Sequence, residues 1–292
     1  MIQQRLEDIT KTVNVRLKEL FTAKRPQLLW ESMEYSIKAG GKRLRPALNI
    51  LAAGIVGADI RETLDIACAI EMIHTYSLIH DDLPALDNDE LRRGIPSNHM
   101  VYGEAQAILA GDGLLSYAFE TMIANALAND SNAKNQLKAV NCVARAAGVY
   151  GMVAGQVLDV ELEGKPVTDD DLSFIHAHKT ADMIVGSLLS GASLRDISEE
   201  EFAAFRKYGE LIGLVFQIVD DVLDVTADET LGKTTGKDAR DNKTTFASKY
   251  GIEGAMKLAF DYNEQAKSAL DIFGSKADEL KQLADMLLYR RK

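Results

Sequence analysis

Apolar residues recur three and four positions apart along almost the whole chain, and strict alternation of apolar and polar positions is absent. That period is helical, because side chains at i, i+3 and i+4 share one face of an α-helix. "LLWESMEYSIKAGG" reads as a helix stopped by Gly40-Gly41, since glycine tolerates the left-handed turn past a helix end. "RETLDIACAIEMIHTYSLIHDD" reads as a long helix with little polar surface, which Pro84 ends or bends. "SEEEFAAFRKYGELIGLVFQIVDDVLDV" opens with Ser198 and Glu201 at the spacing of a capping box, then becomes apolar on most faces. Helices apolar nearly all round belong at the centre of a large bundle. The pattern therefore predicts an all-α protein of about ten or more helices. No Gly-, Ser- or Pro-rich linker interrupts it, so residues 1–292 are expected to form a single domain. The longest irregular stretch is the charged "TADETLGKTTGKDARDNKT", Thr226 to Thr244.

Composition narrows the partners. A chain of 292 residues, 47% hydrophobic, can bury a substantial core. The net charge of −11 argues against nucleic acid or an anionic membrane surface as the main partner. Any phosphorylated ligand must then be held by local cations, by metal, or by both. Cys68 and Cys142 sit in apolar helical contexts without motif spacing and read as buried thiols in a reducing compartment. Charges run through "MIQQRLEDITKTVNVRLKEL", which leaves no apolar signal core, and no run approaches the ~18 apolar residues of a membrane span. A cytoplasmic location without a membrane segment is expected.

The polar residues that break the apolar pattern are concentrated. In "FQIVDDVLDV", Gln217, Asp220, Asp221 and Asp224 lie at i, i+3, i+4 and i+7, one face of a helix. Their neighbours Phe216, Ile218, Val219, Val222, Leu223 and Val225 are apolar, so this stripe is expected to look inward onto a cavity. Upstream, His74, Ser77 or Leu78, and Asp81 share a face by the same count, with Asp82 next and Asp87 beyond Pro84. Crowded inward carboxylates repel one another and are driven toward protonation unless a cation offsets them. Mg²⁺ is the natural candidate, because it takes one or two carboxylates per ion and fills its octahedron with water and phosphate oxygens. Calcium loops need other spacing, and zinc would need His or Cys ligands.

Cations lie beside the acids. "GGKRLRP" places Lys42, Arg43 and Arg45 between a glycine stop and Pro46, which suits a helix's first turn and favours phosphate. Arg92-Arg93 follows the first acidic run, and Lys179-Thr180 lies mid-helix in "FIHAHKTADMIVGSLL". Lys233, Lys237 and Lys243 punctuate the long loop, whose "GKTTGKD" lacks the spacing of a phosphate-binding P-loop. Two aspartate clusters imply metal, several basic sites imply phosphate, and Leu-, Ile-, Ala- and Met-rich helices imply that the rest of the substrate is apolar.

In order, "GGKRLRP", "DDLPALD", "LRRG", "GDGLL", "GQVLD", "HKT" and "FQIVDDVLD" resemble the motifs of short-chain trans-polyprenyl diphosphate synthases, most nearly the bacterial farnesyl type, over nearly the whole chain. The resemblance implies an isoprenoid-synthase-type helical bundle around a central cavity. It implies Mg-dependent condensation of isopentenyl diphosphate with an allylic diphosphate (dimethylallyl or geranyl), with loss of diphosphate. By it, Asp81 and Asp87 hold two of three Mg²⁺ and Asp220 the third, supported by Asp82, Asp221 and Asp224. Arg92, Lys179, Lys233 and Lys243 bind the allylic diphosphate, and Lys42, Arg45, His74 and Arg93 bind isopentenyl diphosphate. Thr180 and Gln217 join Lys179 as catalytic residues facing the allylic cation. The leaving diphosphate serves as base, so His80, His99, His176 and His178 receive no chemical role, and Lys237 receives none either. A homodimer is implied, and the apolar "GEAQAILAGDGLLSYAFETMIANAL" is consistent with burial against a second subunit.

Two further residue types stay open. The first motif carries Pro84-Ala85 as two extra residues between its aspartates, as in bacterial farnesyl and many geranylgeranyl enzymes, which leaves product length open. Tyr76 lies five residues before Asp81, about 7.5 Å along the axis, while Ser77 is better aligned but small. An aromatic at this place in farnesyl-type enzymes implies that Tyr76 stops chain growth at C15, with C20 the alternative. A terpene cyclase normally lacks the second aspartate motif and the "GGKRLRP" site. A non-catalytic regulatory subunit tends to lose aspartates or basic ligands, and all are present here.

Overall fold

The structure is a computed structural model that describes residues 2–22, 25–129, 132–226 and 245–290. The helical period is realised along the chain. The elements are α1 (Ile2–Leu20), α2 (Gln27–Lys38), α3 (Leu44–Ile55), α4 (Ile60–Asp81), α5 (Asn98–Tyr102), α6 (Glu104–Ala128), α7 (Ala133–Ala147), α8 (Met152–Glu161) and α9 (Asp169–Ile175). A π-helical turn (His176–Ala181) then leads into α10 (Asp182–Ala192) and α11 (Glu199–Thr226). After it come α12 (Phe246–Ala269), a 3-10 segment (Asp271–Ala277) and α13 (Asp278–Leu288).

Local chemistry sets the ends. The expected capping box of α11 forms: Glu201 N donates to Ser198 Oγ at 3.1 Å and Ser198 N to Glu201 Oε2 at 2.8 Å. Asp59 and Glu62 build the same device at the start of α4, where Asp59 N donates to Glu62 Oε1 at 2.9 Å. Gly40 and Gly41, past α2, take φ of 87° and 132°.

Helix α4 lies between α3 and α6, and its residues Ile66 to Ile73 are all buried. Helix α10, buried from Met183 to Ala192, packs on α3, α7 and α11. These helices share one hydrophobic core, to which α1, α2 and α13 also contribute. A second cluster, including Val215, Val219, Val222, Ala255 and Leu288, joins α11 to α12 and α13. Cys68 is buried and Cys142 half-buried, both free thiols.

Three features depart from the sequence reading. A hairpin, β1 (Leu91–Arg92) and β2 (Ile95–Pro96), pairs Leu91 with Pro96 and Arg92 with Ile95. Strands of two residues are too short to leave an alternating signature. The Lys179-Thr180 region is a π turn rather than plain α-helix; such turns are frequent at functional sites. Finally, α6 is long and apolar enough, by length and composition, to cross a membrane. Asp112 and Glu120 interrupt its apolar run, and it is partly buried against α4 and α2.

Candidate active site

At the C-terminal end of α4 the chain folds back on itself. Asp87 N donates to Asp81 O at 2.8 Å and Asn88 N to Leu83 O at 3.1 Å, which returns Asp87 to the side of Asp81. Burial pushes the Asp81 carboxyl up to about 6; the nearby Lys179 ammonium opposes that shift, and the Asp87 charge adds to it. Asp81 makes no side-chain hydrogen bond or ion pair with another described residue. Asp82 is buried and pushed upward by burial, against which Arg92 works by donating Nε at 2.9 Å and Nη2 to the same oxygen. Arg92 Nη2 also meets Asp89 Oδ2 at 3.2 Å.

The hairpin explains how adjacent arginines serve two places. Arg93 and Gly94 form its tip with φ of 55° and 81°, so the chain reverses direction directly after Arg92. Arg92 therefore turns to the aspartates, while Arg93 donates from Nη1 to the Gly40 carbonyl. A Cβ on Gly41 would stand 2.9 Å from Arg93 Cζ, the movable end of a long side chain, so it is the φ of 132° that favours glycine there.

Inside "GGKRLRP" the cations divide. Arg43, at a φ of 48°, is buried. It donates to Asn14 Oδ1 (2.9 Å), Gly40 O (3.2 Å), Ile37 O (2.7 Å) and Glu71 Oε1 (2.6 Å). Lys42 is exposed, and Arg45 is half-buried with Nη1 3.5 Å from His74 Nε2. Arg45 Nε is buried without a hydrogen-bond partner. Burial lowers the Arg45 pKa from its ordinary value, and burial with the Arg45 charge holds His74 well below the usual histidine range, hence neutral at pH 7. Lys42, Arg45, His74 and Arg93 line one cavity of about 1300 Å³, with Asp220 and Arg290 on its wall. The structure thus brings together the four residues that the sequence groups for isopentenyl diphosphate.

The second acidic stripe keeps its helical register. Gln217 Nε2 donates to Asp221 Oδ1 at 2.8 Å, and the Thr180 hydroxyl to Gln217 Oε1 at 3.4 Å. Asp221 is buried and also accepts the Phe246 N–H at 2.8 Å, which ties α11 to the start of α12. Asp220 pairs with Arg290 Nη2 at 2.8 Å, and the Arg290 guanidinium lies 4.0 Å over the Phe216 ring. Asp224 is half-buried. Lys179 Nζ donates to Asp159 Oδ2 at 2.6 Å, and a Cβ on Gly155 would come 2.2 Å from Lys179 N, so α8 touches the π turn directly. Tyr76 is 7% exposed and Ser77 half-buried, its hydroxyl donating to His74 O at 2.9 Å. Lys233, Lys237 and Lys243 lie outside the described residues.

Among the described residues no three His, Cys, Asp or Glu side chains converge on one metal position. The donors nonetheless suit Mg²⁺: they are carboxylate oxygens alone, and Asp81 is desolvated with no side-chain hydrogen bond to another described residue. Three residues were not singled out by the sequence reading: Asp159, Glu71 and Arg290. Asp159 stands in the quoted "GQVLD", and Glu71 is the one acid inside the buried apolar run Ile66 to Ile73 of α4, which is a legible signal. Arg290 had none, because only folding brings the chain's end to Asp220.

The polyprenyl synthetase family model matches residues 26–287. The chain belongs to this family. A farnesyl diphosphate synthase of Bacillus subtilis (strain 168) is 41% identical over 288 residues, covering 98% of this chain and 97% of that protein. A chloroplastic geranylgeranyl pyrophosphate synthase of Capsicum annuum is 46% identical over 282 residues, covering 96% of this chain and 76% of that protein. The crystal structure of a geranyltransferase from Legionella pneumophila superimposes with a TM-score of 0.89 at 35% identity, covering 100% of this chain and 97% of that one. The expected all-α isoprenoid-synthase bundle and the family resemblance both hold. The chain is a trans-prenyltransferase of the class that joins isopentenyl and allylic diphosphates.

Proposed function

We propose that this polyprenyl synthetase makes farnesyl diphosphate, adding isopentenyl diphosphate first to dimethylallyl and then to geranyl diphosphate. The observation that carries the C15 product is Tyr76: a ring 7% exposed, about 7.5 Å down α4 from Asp81. An allylic tail growing down from a diphosphate at Asp81 meets that ring before it can take a further unit. Geranylgeranyl synthases are comparably similar in sequence, so the ring, and not overall likeness, argues for C15.

In this reading Lys42, Arg45, His74 and Arg93 receive isopentenyl diphosphate, and the unpartnered Arg45 Nε supports an anion there. Arg92 and Lys179, joined by Lys233 and Lys243, receive the allylic diphosphate. Thr180 and Gln217 turn oxygens toward the developing cation, and positioned dipoles of this kind lower the barrier to ionisation. Asp81, Asp87 and Asp220, with Asp82, Asp221 and Asp224 in support, would hold three Mg²⁺, which when bound neutralise the charge that builds on the leaving diphosphate. Asp82 also orients Arg92, as Asp159 orients Lys179. The enzyme acts as a homodimer; Ile108, Leu109, Ile123 and Leu127 of α6 and Met100 and Val101 of α5 are exposed and apolar, and sedimentation of the purified chain reads its mass directly.

The test is product analysis with dimethylallyl diphosphate and excess isopentenyl diphosphate. Wild type should stop at C15, and Tyr76→Ala should extend products to C20 or longer. A folded, active Tyr76→Ala enzyme with wild-type products would place the stop elsewhere.

A further inference from the structure

Tyr76 can act as a floor only if its ring is held, and the structure supplies a holder to which the sequence gives no role. His80 lies one helical turn beyond Tyr76 on the same face of α4. The two rings meet edge to face, with centroids 5.6 Å apart at 84°. On its other side the imidazole is fixed to α6: Nε2 lies 3.1 Å from the Ile108 carbonyl oxygen, to which it donates. A Cβ on Gly111 would stand 2.1 Å from Nε2, 2.4 Å from Cδ2 and 2.8 Å from Cε1. The imidazole therefore sits against the α6 backbone in a slot that exists only because residue 111 has no side chain. This also gives the glycine of "GDGLL" a physical reason.

We propose that His80 is the positioning residue of the cavity floor: wedged between Tyr76 and the α6 backbone at Ile108–Gly111, it fixes the Tyr76 ring and so the length at which the product stops growing. The inference rests on the reading of Tyr76 as that stop. His80 touches no reacting atom, so its loss should leave formation of geranyl diphosphate intact and loosen only the later stop. A histidine that merely packed would lower thermal stability without moving the product ratio.

Purified wild type, Tyr76→Ala, His80→Ala, Gly111→Ala and the Tyr76→Ala/His80→Ala double variant are compared for C20:C15 ratio, rate of the first condensation and melting temperature. His80→Ala should raise the ratio roughly two- to tenfold, the range that one edge-to-face pair is worth, and by less than Tyr76→Ala. The double variant should match Tyr76→Ala, because the holder has no effect once the ring is gone. Gly111→Ala must displace the imidazole and should reproduce the shift, which decides the matter if His80→Ala does not fold. A folded His80→Ala or Gly111→Ala enzyme with the wild-type ratio, beside a shifted Tyr76→Ala, overturns the role of His80 and leaves the floor standing. An unshifted Tyr76→Ala removes the floor and this inference with it.

Discussion

Replacing Arg43 by methionine tests how the "GGKRLRP" loop, the proposed isopentenyl diphosphate site, is built. The Arg43 and Glu71 side chains are 3% and 2% exposed and pair at 2.6 Å. Methionine leaves the Glu71 carboxylate buried without its partner and also removes the bonds to Asn14, Gly40 and Ile37. Breaking one side of a buried pair costs about 3–5 kcal/mol, the dominant part being the stranded charge. At roughly 2–4 °C per kcal/mol for a large domain, the melting temperature should fall by on the order of 10 °C.

The double variant Arg43→Met/Glu71→Leu separates charge from architecture. An apolar replacement of a buried pair is often neutral or stabilising, so most of the lost stability should return. The loop, however, stays untied from Ile37, Gly40 and Asn14, and Gly40 is where Arg93 is anchored. The KM for isopentenyl diphosphate should therefore remain raised by about tenfold, ~1.4 kcal/mol, with the allylic KM near wild type. Thermal unfolding by circular dichroism and steady-state kinetics in each substrate read the two effects. An Arg43→Met enzyme that melts within about 2 °C of wild type would refute the burial argument, because a stranded charge should move it several times further. A double variant with wild-type KM for isopentenyl diphosphate would refute the anchoring role.

Two further outcomes are expected. Asp81→Asn or Asp220→Ala should lower turnover by about 10³-fold or more at saturating Mg²⁺, several kcal/mol of lost charge stabilisation, and near-normal turnover would remove the metal assignment. His176, stacked on Phe246 with its Nδ1 buried and unpartnered, is held down to about 4 by burial. The unfolded chain then binds more protons than the folded one between roughly pH 4 and 6.5, so stability is lost as pH falls through that window. His176→Gln should flatten this acid loss, and an unchanged fall in melting temperature would refute it.

The legible part of the fold was whatever left a period or a cap. Ile66 to Ile73 announce a buried helix, Ser198 and Glu201 announce the start of α11, and Gln217 to Asp221 announce a shared face that their hydrogen bond realises. What was not legible depended on closure in three dimensions. The hairpin that parts Arg92 from Arg93 has strands of two residues. The π turn at Lys179 packs closely on α8 at Gly155, a contact that no local period announces. Arg290 reaches Asp220 only because α13 packs back on α11. Asp221 was expected to face a cavity, and instead it is buried and spends an oxygen on the Phe246 amide. An i+4 count can assign a face but not its neighbour.

The cations of the site differ in how readily they can change partners. Lys179 and its partner Asp159 have side chains 26% and 23% exposed, where an ion pair is worth less because water competes for both charges, whereas Arg92 is 32% exposed but holds an Asp82 side chain only 3% exposed. A diphosphate would therefore take over Lys179 more readily than Arg92, whose departure would strand a buried carboxylate. Arg43 is 3% exposed and its donors are divided among a carboxylate, two carbonyls and an amide oxygen. Releasing it would strand all of them, so it is scaffold however close it stands to a phosphate. Arg45 is the opposite case: its Nε is buried without a hydrogen bond to any described residue, and the neighbouring His74 is neutral and offers no charge. Of the three basic residues in "GGKRLRP", the middle one thus holds the loop. The family resemblance leaves Arg43 out of the isopentenyl diphosphate set, and its burial supplies the physical reason.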